Sequence, residues 1–303
     1  MIESTLQDAL QTYPAVDPAE FAGKLKGQVA IVTGTSAGTG IDIAKALANA
    51  GAKVACVARR DVKPLVEYIK SKGGEAIAIS EDVAVKGAAQ RIVAKVESEL
   101  GTVNILINNA GISRLSPVAE EPEDMDIWWR VHEVNVYAPV MLTRAVLPAM
   151  LKRGSGYIIS VSSSVLYMTL PCMSAYSSSK AAITKFHEAL AIELRDTGVY
   201  SFSTTPGVVK TELGASENAL NKGAMEDPNM KAFMAGRGKY QGQDADVLAN
   251  AIVAMTVDDS FKSLNGKFIN ASKDLTAVME EARKEGAGRI GAEDMYAVRM
   301  HQL

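Results

Sequence analysis

The sequence predicts an α/β protein: one doubly wound parallel sheet of about seven strands, with helices on both faces. Three observations lead there. Short runs rich in β-branched residues alternate with longer segments of helical spacing, the pattern of repeated βα units. Several of those runs are apolar throughout rather than alternating, as strands covered on both faces are. No internal repeat and no linker divides the 303 residues, so one domain is the simplest account.

The elements follow in order. The first strand is expected over 28–33 and a helix over about 39–50. Further strands fall at 53–58, 76–79, 104–108, 157–161, 200–204 and 267–270. Long helices are expected over about 124–151 and from Tyr176 to before Gly198. Residues 1–26, with Pro14 and Pro18 and a weak apolar period, read as an N-terminal extension to a domain over 27–272. Residues 213–241 are rich in Gly, Asn and Met, break the βα rhythm, and are expected to form a substrate lid. Residues 273–303 form a C-terminal extension that either covers a neighbouring subunit's pocket or lies on the surface as a helix.

Composition excludes several classes. A net charge of −3 without long single-sign blocks gives no footprint for nucleic acid. Two cysteines, Cys56 and Cys172, do not suggest a disulfide framework and fit a reducing compartment. The opening Met1-Ile2-Glu3-Ser4 lacks the basic and then apolar pattern of a signal peptide, and no apolar stretch reads as a membrane span. The expectation is a soluble cytoplasmic protein with no membrane partner. His132, His187 and His301 show no metal-ligand spacing, so no metal is expected.

The first strand runs into Thr33-Gly34-Thr35-Ser36-Ala37-Gly38-Thr39-Gly40. Glycines allow a sharp turn and close approach of a ligand, and the next helix aims its N-terminal N–H groups at an anion. A pyrophosphate is the expected guest. The Gly-x-x-x-Gly-x-Gly spacing resembles the cofactor loop of the short-chain dehydrogenases/reductases. The likeness continues in order through Asp82-Val83, Asn108-Asn109-Ala110-Gly111, Asn135, Ser163, Tyr176-x-x-x-Lys180 and Pro206-Gly207 with Thr211. It implies a Rossmann-type fold and a nicotinamide dinucleotide. By this resemblance the cofactor contacts are Gly34, Ser36, Gly38, Thr39, Gly40 and Ile41 from the first turn. Asp82, Val83, Asn109, Ala110 and Gly111 follow from the middle strands, then Tyr176 and Lys180, then Pro206, Gly207, Val209 and Thr211.

Tyr176 and Lys180 are four residues apart, which places both on one helix face. Free tyrosine, with a pKa of about 10, is a poor acid or base near neutrality. A neighbouring ammonium and the helix N-terminus favour the phenolate, so Tyr176 can exchange a proton with a carbonyl or alcohol oxygen. Ser163, thirteen residues earlier and just past a strand, can hydrogen-bond that oxygen; Ser162 and Ser164 are rivals if the strand ends elsewhere. By resemblance, Lys180 also holds the nicotinamide ribose and Asn135 holds a water that relays protons to it. Asp82 reads either as an adenine-side acid or as a helix N-cap.

NAD-using relatives carry an acid at the end of the second strand; here Ala58 occupies that place, followed by Arg59 and Arg60, which can pair with a 2′-phosphate. The expected cofactor is NADP(H). Leu166, Tyr167, Met168, Leu170, Cys172 and Met173, with Met225, Met230, Phe233, Met234 and Tyr240 of the lid, predict an apolar pocket suited to a bulky hydrophobic ketone or alcohol. The changed C-terminus, Gly266-Lys-Phe-Ile-Asn-Ala-Ser without a glycine pair, resembles family members of specialised metabolism. A ketone reductase is therefore expected. A non-redox cyclase or isomerase on this scaffold, or an NADP(H)-sensing binding protein, would more often carry a damaged catalytic set. The two long helices, with Trp128 and Trp129, resemble those that pair in family dimers, so a homo-oligomer is expected.

Overall fold

A computed structural model describes residues 8–168, 170–207, 209, 219–237, 242–293 and 295–297. Seven parallel strands form one sheet: β1 (Val29–Thr33), β2 (Lys53–Ala58), β3 (Ala76–Ser80), β4 (Ile105–Asn108), β5 (Gly156–Val161), β6 (Val199–Thr205) and β7 (Phe268–Asn270). Their order across the sheet is β3-β2-β1-β4-β5-β6-β7, so the winding reverses between β1 and β4. Ligands of open α/β sheets bind at such a switch point, outside the carboxyl ends of the strands. Each strand lies within one residue of its sequence-based bounds at either end.

β1, β2 and β4 are almost entirely apolar because both faces are covered, whereas β6 carries buried Ser201, Ser203, Thr204 and Thr205. On one face Ala30, Val32, Val54, Cys56, Ile107 and Phe202 join helices α1 (Thr39–Asn49), α2 (Lys63–Ser71) and α9 (Ala245–Val257). On the other, Ile31, Ala55, Val57, Leu106 and Ile158 meet α3 (Ala88–Glu99), α5 (Ala138–Arg153) and α6 (Ser174–Glu193). Each fully buried aliphatic or aromatic side chain here stabilises by about 1.5–3 kcal/mol.

The long central helix is less regular than its apolar spacing suggests. It runs as α4 (Asp126–His132), a π turn over Glu133–Tyr137, and α5. Taken together, 126–153 is long and apolar enough to cross a membrane, which corrects the expectation that no stretch reaches that threshold. Its hydropathy has another use: Ala138, Leu142, Val146 and Met150 are buried against the sheet.

Both terminal segments feed the core. Val16, Phe21 and Leu25 are buried in the α9 face, and Val278, Met279 and Ala282 of α10 (Thr276–Ala282), with Ile290 of α11 (Gly288–Ala292), lie in the same cluster. The C-terminal helices thus pack into this chain's own core, α10 against the 3₁₀ turn Asp259–Leu264. Lys273 pairs with Asp8, the Ala9 N–H donates to Ser272 O at 2.9 Å, and the Tyr13 hydroxyl bonds Lys273 O and accepts from Leu275 N at 2.9 Å. At the β7 edge, the Phe268 N–H donates to Tyr296 O, so the tail occupies an edge donor.

Candidate active site

The Gly-rich turn is built by mutual exclusion. A Cβ at Gly40 would lie 2.3 Å from Gly34 O, and one at Gly34, where φ is +75°, would lie 2.8 Å from Ala110 Cα. Only glycines let the turn close this tightly on β4. Asn109 then pins it. Its Nδ2 donates to Thr33 O at 2.9 Å and its Oδ1 accepts from Thr39 Oγ1 at 2.8 Å. Thr33 Oγ1 in turn accepts from the N–H groups of Asn109 and Ala110. α1 opens after Gly38 with no side-chain cap, so its first N–H groups face the turn available to an anion. Gly34, Ser36, Gly38, Thr39, Gly40 and Ile41 therefore surround the start of α1, and this cradle fits a dinucleotide pyrophosphate.

At the end of β2, Ala58 is buried while Arg59 and Arg60 are exposed. Arg60 Nε donates to Ser36 Oγ at 3.2 Å, laying a guanidinium over the turn. Asp82, past β3, accepts from Ala84 N at 3.0 Å and pairs with Arg130 of α4 at 2.6 Å. It is not a helix N-cap: α3 begins at Ala88, with Gly87 in the cap position. Val83 beside it is buried. At the end of β6, Gly207 packs on Ser272 and Gln243, and Val209 is buried. Thr211 lies outside the described residues, as do His301 and Tyr240.

Tyr176 and Lys180 meet as their spacing predicts. Both are buried, with Lys180 Nζ 5.6 Å from the centre of the Tyr176 ring. Lys180 Nζ donates to Val161 O at 2.8 Å, and burial pushes the ammonium down to about 8. Ser163 is half-buried just beyond β5. Its rival Ser162 is fully engaged, bonding Lys180 O at 3.1 Å and Thr184 Oγ1 at 2.8 Å. Ser164 begins the following 3₁₀ turn, where the Ser163 hydroxyl accepts from Val165 N. Asn135 sits in the π turn, a distortion common at functional sites. Its carboxamide bonds both the N–H and the carbonyl of Ile112 at 2.9 Å, and Ser179 Oγ at 3.0 Å. A Cβ on Gly111 would lie 3.4 Å from Asn135 Oδ1 and 3.5 Å from Lys180 Nζ, so Gly111 is the floor between them.

A separate apolar cluster joins Tyr176: Val165, Met173 and Met230 are buried in it, with Leu115, Leu170, Cys172 and Phe233 at its margin. Tyr167, Met168 and Met225 are exposed instead, so they do not line it as expected. Met230 and Phe233 come from α8 (Pro228–Arg237), within the segment expected as a lid. The base of that segment is clasped: Leu115 and Asn221 exchange backbone bonds with Ala219 and Leu115, while a buried Arg114–Glu121 pair at 2.9 Å stiffens the loop after β4. Sequence reasoning missed Arg130, Ser179, Thr184 and His187. The available signal was polar residues recurring on the buried face of α6, at Tyr176, Ser179, Lys180, Thr184 and His187.

The chain is similar to known proteins. A family model described as short chain dehydrogenase matches residues 28–222. A short chain dehydrogenase of Pseudocercospora fijiensis is 50% identical over 299 residues, covering 98% of this chain and 97% of its own. One from Monascus purpureus is 31% identical over 283 residues, covering 90% and 89%. Among solved structures, a gluconate 5-dehydrogenase from Burkholderia cenocepacia J2315, in complex with NADP and tartrate, matches with a TM-score of 0.70. That match has 25% identity and covers 85% of this chain and 96% of that one.

The buried ammonium makes stability depend on pH. Below about 8 Lys180 is charged in both the folded and the unfolded chain, and the fold carries the full cost of burying it. Between about 8 and its ordinary 10.5 the unfolded chain holds the proton and the folded chain does not, so stability rises with pH there. Lys180→Met is expected to unfold at higher denaturant than the parent at pH 7, by about 1–3 kcal/mol. The gap should narrow as pH rises through that window. A variant less stable than the parent at pH 7 would show that the Val161 bond outweighs the burial cost.

Proposed function

The chain belongs to the short chain dehydrogenase family of oxidoreductases, and we propose that it is an NADP(H)-dependent reductase interconverting a ketone and an alcohol on a hydrophobic small molecule. The observation that carries this reading is the buried Tyr176–Lys180 pair opening onto the apolar cluster around Val165, Met173 and Met230. A carbonyl placed against Tyr176 has an apolar wall for its body and one proton donor for its oxygen.

The bound nicotinamide supplies or takes the hydride. The residues of this chain handle the proton and the positions. In reduction, Tyr176 Oη gives its proton to the carbonyl oxygen; in oxidation it takes one from the alcohol. The positive charge of Lys180 favours the phenolate left behind, and Ser163 Oγ steadies the substrate oxygen as charge develops on it. Lys180 would also hold the nicotinamide ribose, and Asn135 fixes the loop that floors the site. Gly34, Gly38 and Gly40 would leave room for the pyrophosphate at the α1 N-terminus. Asp82 stands on the adenine side, held there by Arg130.

NADP is favoured by the absence of an acid at Ala58 and by the two guanidinium groups that follow it. The gluconate 5-dehydrogenase neighbour was solved with NADP, which supports the same choice. Assembly into a homo-oligomer is supported by the outer faces of α4 to α6, where Trp129 is 59% and Ile192 68% exposed.

Three outcomes test this reading. Tyr176→Phe removes only the hydroxyl, and turnover of a hydrophobic ketone with saturating NADPH should fall by at least about 10²-fold. Turnover within a few-fold of the parent would remove the central claim. In direct titrations NADPH should bind more tightly than NADH, and Arg59→Ala should weaken NADPH selectively by about 1–3 kcal/mol. Equal affinity for NADH sinks the cofactor assignment. Light scattering at micromolar concentration should give at least a dimer; a monomer refutes the assembly.

A further inference from the structure

Three consecutive residues at the end of β5, Ser160, Val161 and the adjoining Ser162, hold α6 at three points. Ser162 Oγ bonds Lys180 O and Thr184 Oγ1, and Val161 O takes the Lys180 ammonium. Ser160 Oγ lies 2.6 Å from His187 Nε2. The other ring nitrogen, His187 Nδ1, lies 2.6 Å from Ser201 Oγ on β6, and Asn108 of β4 donates to Ser160 at 3.4 Å. His187 is wholly buried, seven residues beyond Lys180 on the same helix face.

Burial pushes the imidazole down to about 3, so it is neutral throughout the working pH range. A neutral imidazole has one donor and one acceptor, so either tautomer satisfies both serines. Apolar contacts are non-directional and let a helix slide by fractions of an ångström. Two short hydrogen bonds to different strands fix depth and rotation together, and nothing in the proton chemistry uses them.

We propose that His187 is a positioning residue for the reaction: by fixing the register of α6 on β5 and β6, it holds Lys180 at Val161 O and beside Tyr176. The inference rests on the reading of Tyr176 and Lys180 as the working pair. Its prediction is specific. A small misplacement of reacting groups costs rate with little change in substrate affinity, whereas a purely structural histidine costs only stability.

The test compares His187→Phe, which keeps a ring in the space without its nitrogens, with His187→Gln, which keeps one donor and one acceptor. Steady-state kinetics with NADPH are read beside hydrogen exchange of the α6 amides in the cofactor-free protein. For His187→Phe, kcat should fall by about 10- to 100-fold while KM for the ketone moves less than about 3-fold. Exchange over residues 176–187 should quicken. His187→Gln should recover most of the rate. A His187→Phe enzyme with parental kcat and only a lowered melting temperature overturns the proposal, as does a His187→Gln no better than His187→Phe. Should His187→Phe fail to fold, Ser201→Ala decides. It removes one of the two bonds and should lower kcat several-fold, and parental kcat there overturns the proposal. Parental turnover in Tyr176→Phe, by contrast, would overturn the underlying reading and this inference with it, whereas parental kcat in His187→Phe overturns the inference alone.

Discussion

A buried cation governs this molecule. Lys180 is buried with no carboxylate paired to it among the described residues, and its described hydrogen-bond partner is a backbone carbonyl, Val161 O. Burial on such terms opposes folding, and the surrounding structure has to be stable enough to bear it. The seven covered strands supply that stability. The polar contacts along α6 keep the charge in one place, which a loosely packed helix would not do. The same burial leaves the ammonium closer to neutrality than a surface lysine, beside the one buried tyrosine of α6. What weakens the fold is what makes the pair chemically useful.

The cofactor side works by the opposite means. The Gly-rich turn, residues 33–41, carries no charged side chain. Two glycines remove side chains where atoms must nearly touch, and Asn109 spends its amide on the backbone and hydroxyl of the turn. The result is a concave surface of backbone with an uncapped helix start. One half of the site is thus shaped by absence of side chains, and the other by side chains forced into an unfavourable place. Gly111 lies where the halves meet, within van der Waals reach of both Asn135 and Lys180.

Much of this was legible in sequence. β2 was read to the residue, because its apolar run ends abruptly at Arg59. The order of motifs predicts that Tyr176, Lys180 and the Gly-rich turn share one site; in the structure Ala110 abuts Gly34 and the next residue, Gly111, lies beside Lys180. Three things were not legible. The π turn at Asn135 shifts the helix by a fraction of a turn, which apolar spacing does not register. The Asp82–Arg130 pair joins residues 48 apart with no local signal. Ser162, Ser163 and Ser164 are chemically equivalent in sequence, and only the hydrogen bonds of Ser162 to α6 separate them. Helices α2 and α3 carry ordinary amphipathic periods, at Leu65, Val66 and Ile69 and at Ile92, Val93 and Val96.

The pairing of Asp8 with Lys273 has a bearing on how the chain is made. A ribosome releases residues 8–25 well before their partners, because those of Asp8, Ala9 and Tyr13 lie at 272–275 and those of Val16 and Phe21 include α9. At about 5–20 residues per second, the leading segment waits roughly 10–50 s with its apolar side chains uncovered. The sheet can form around β1 in that time, but it cannot be sealed. Residues 8–25 are thus among the last to dock, and the nascent chain carries an open seam until β7 emerges.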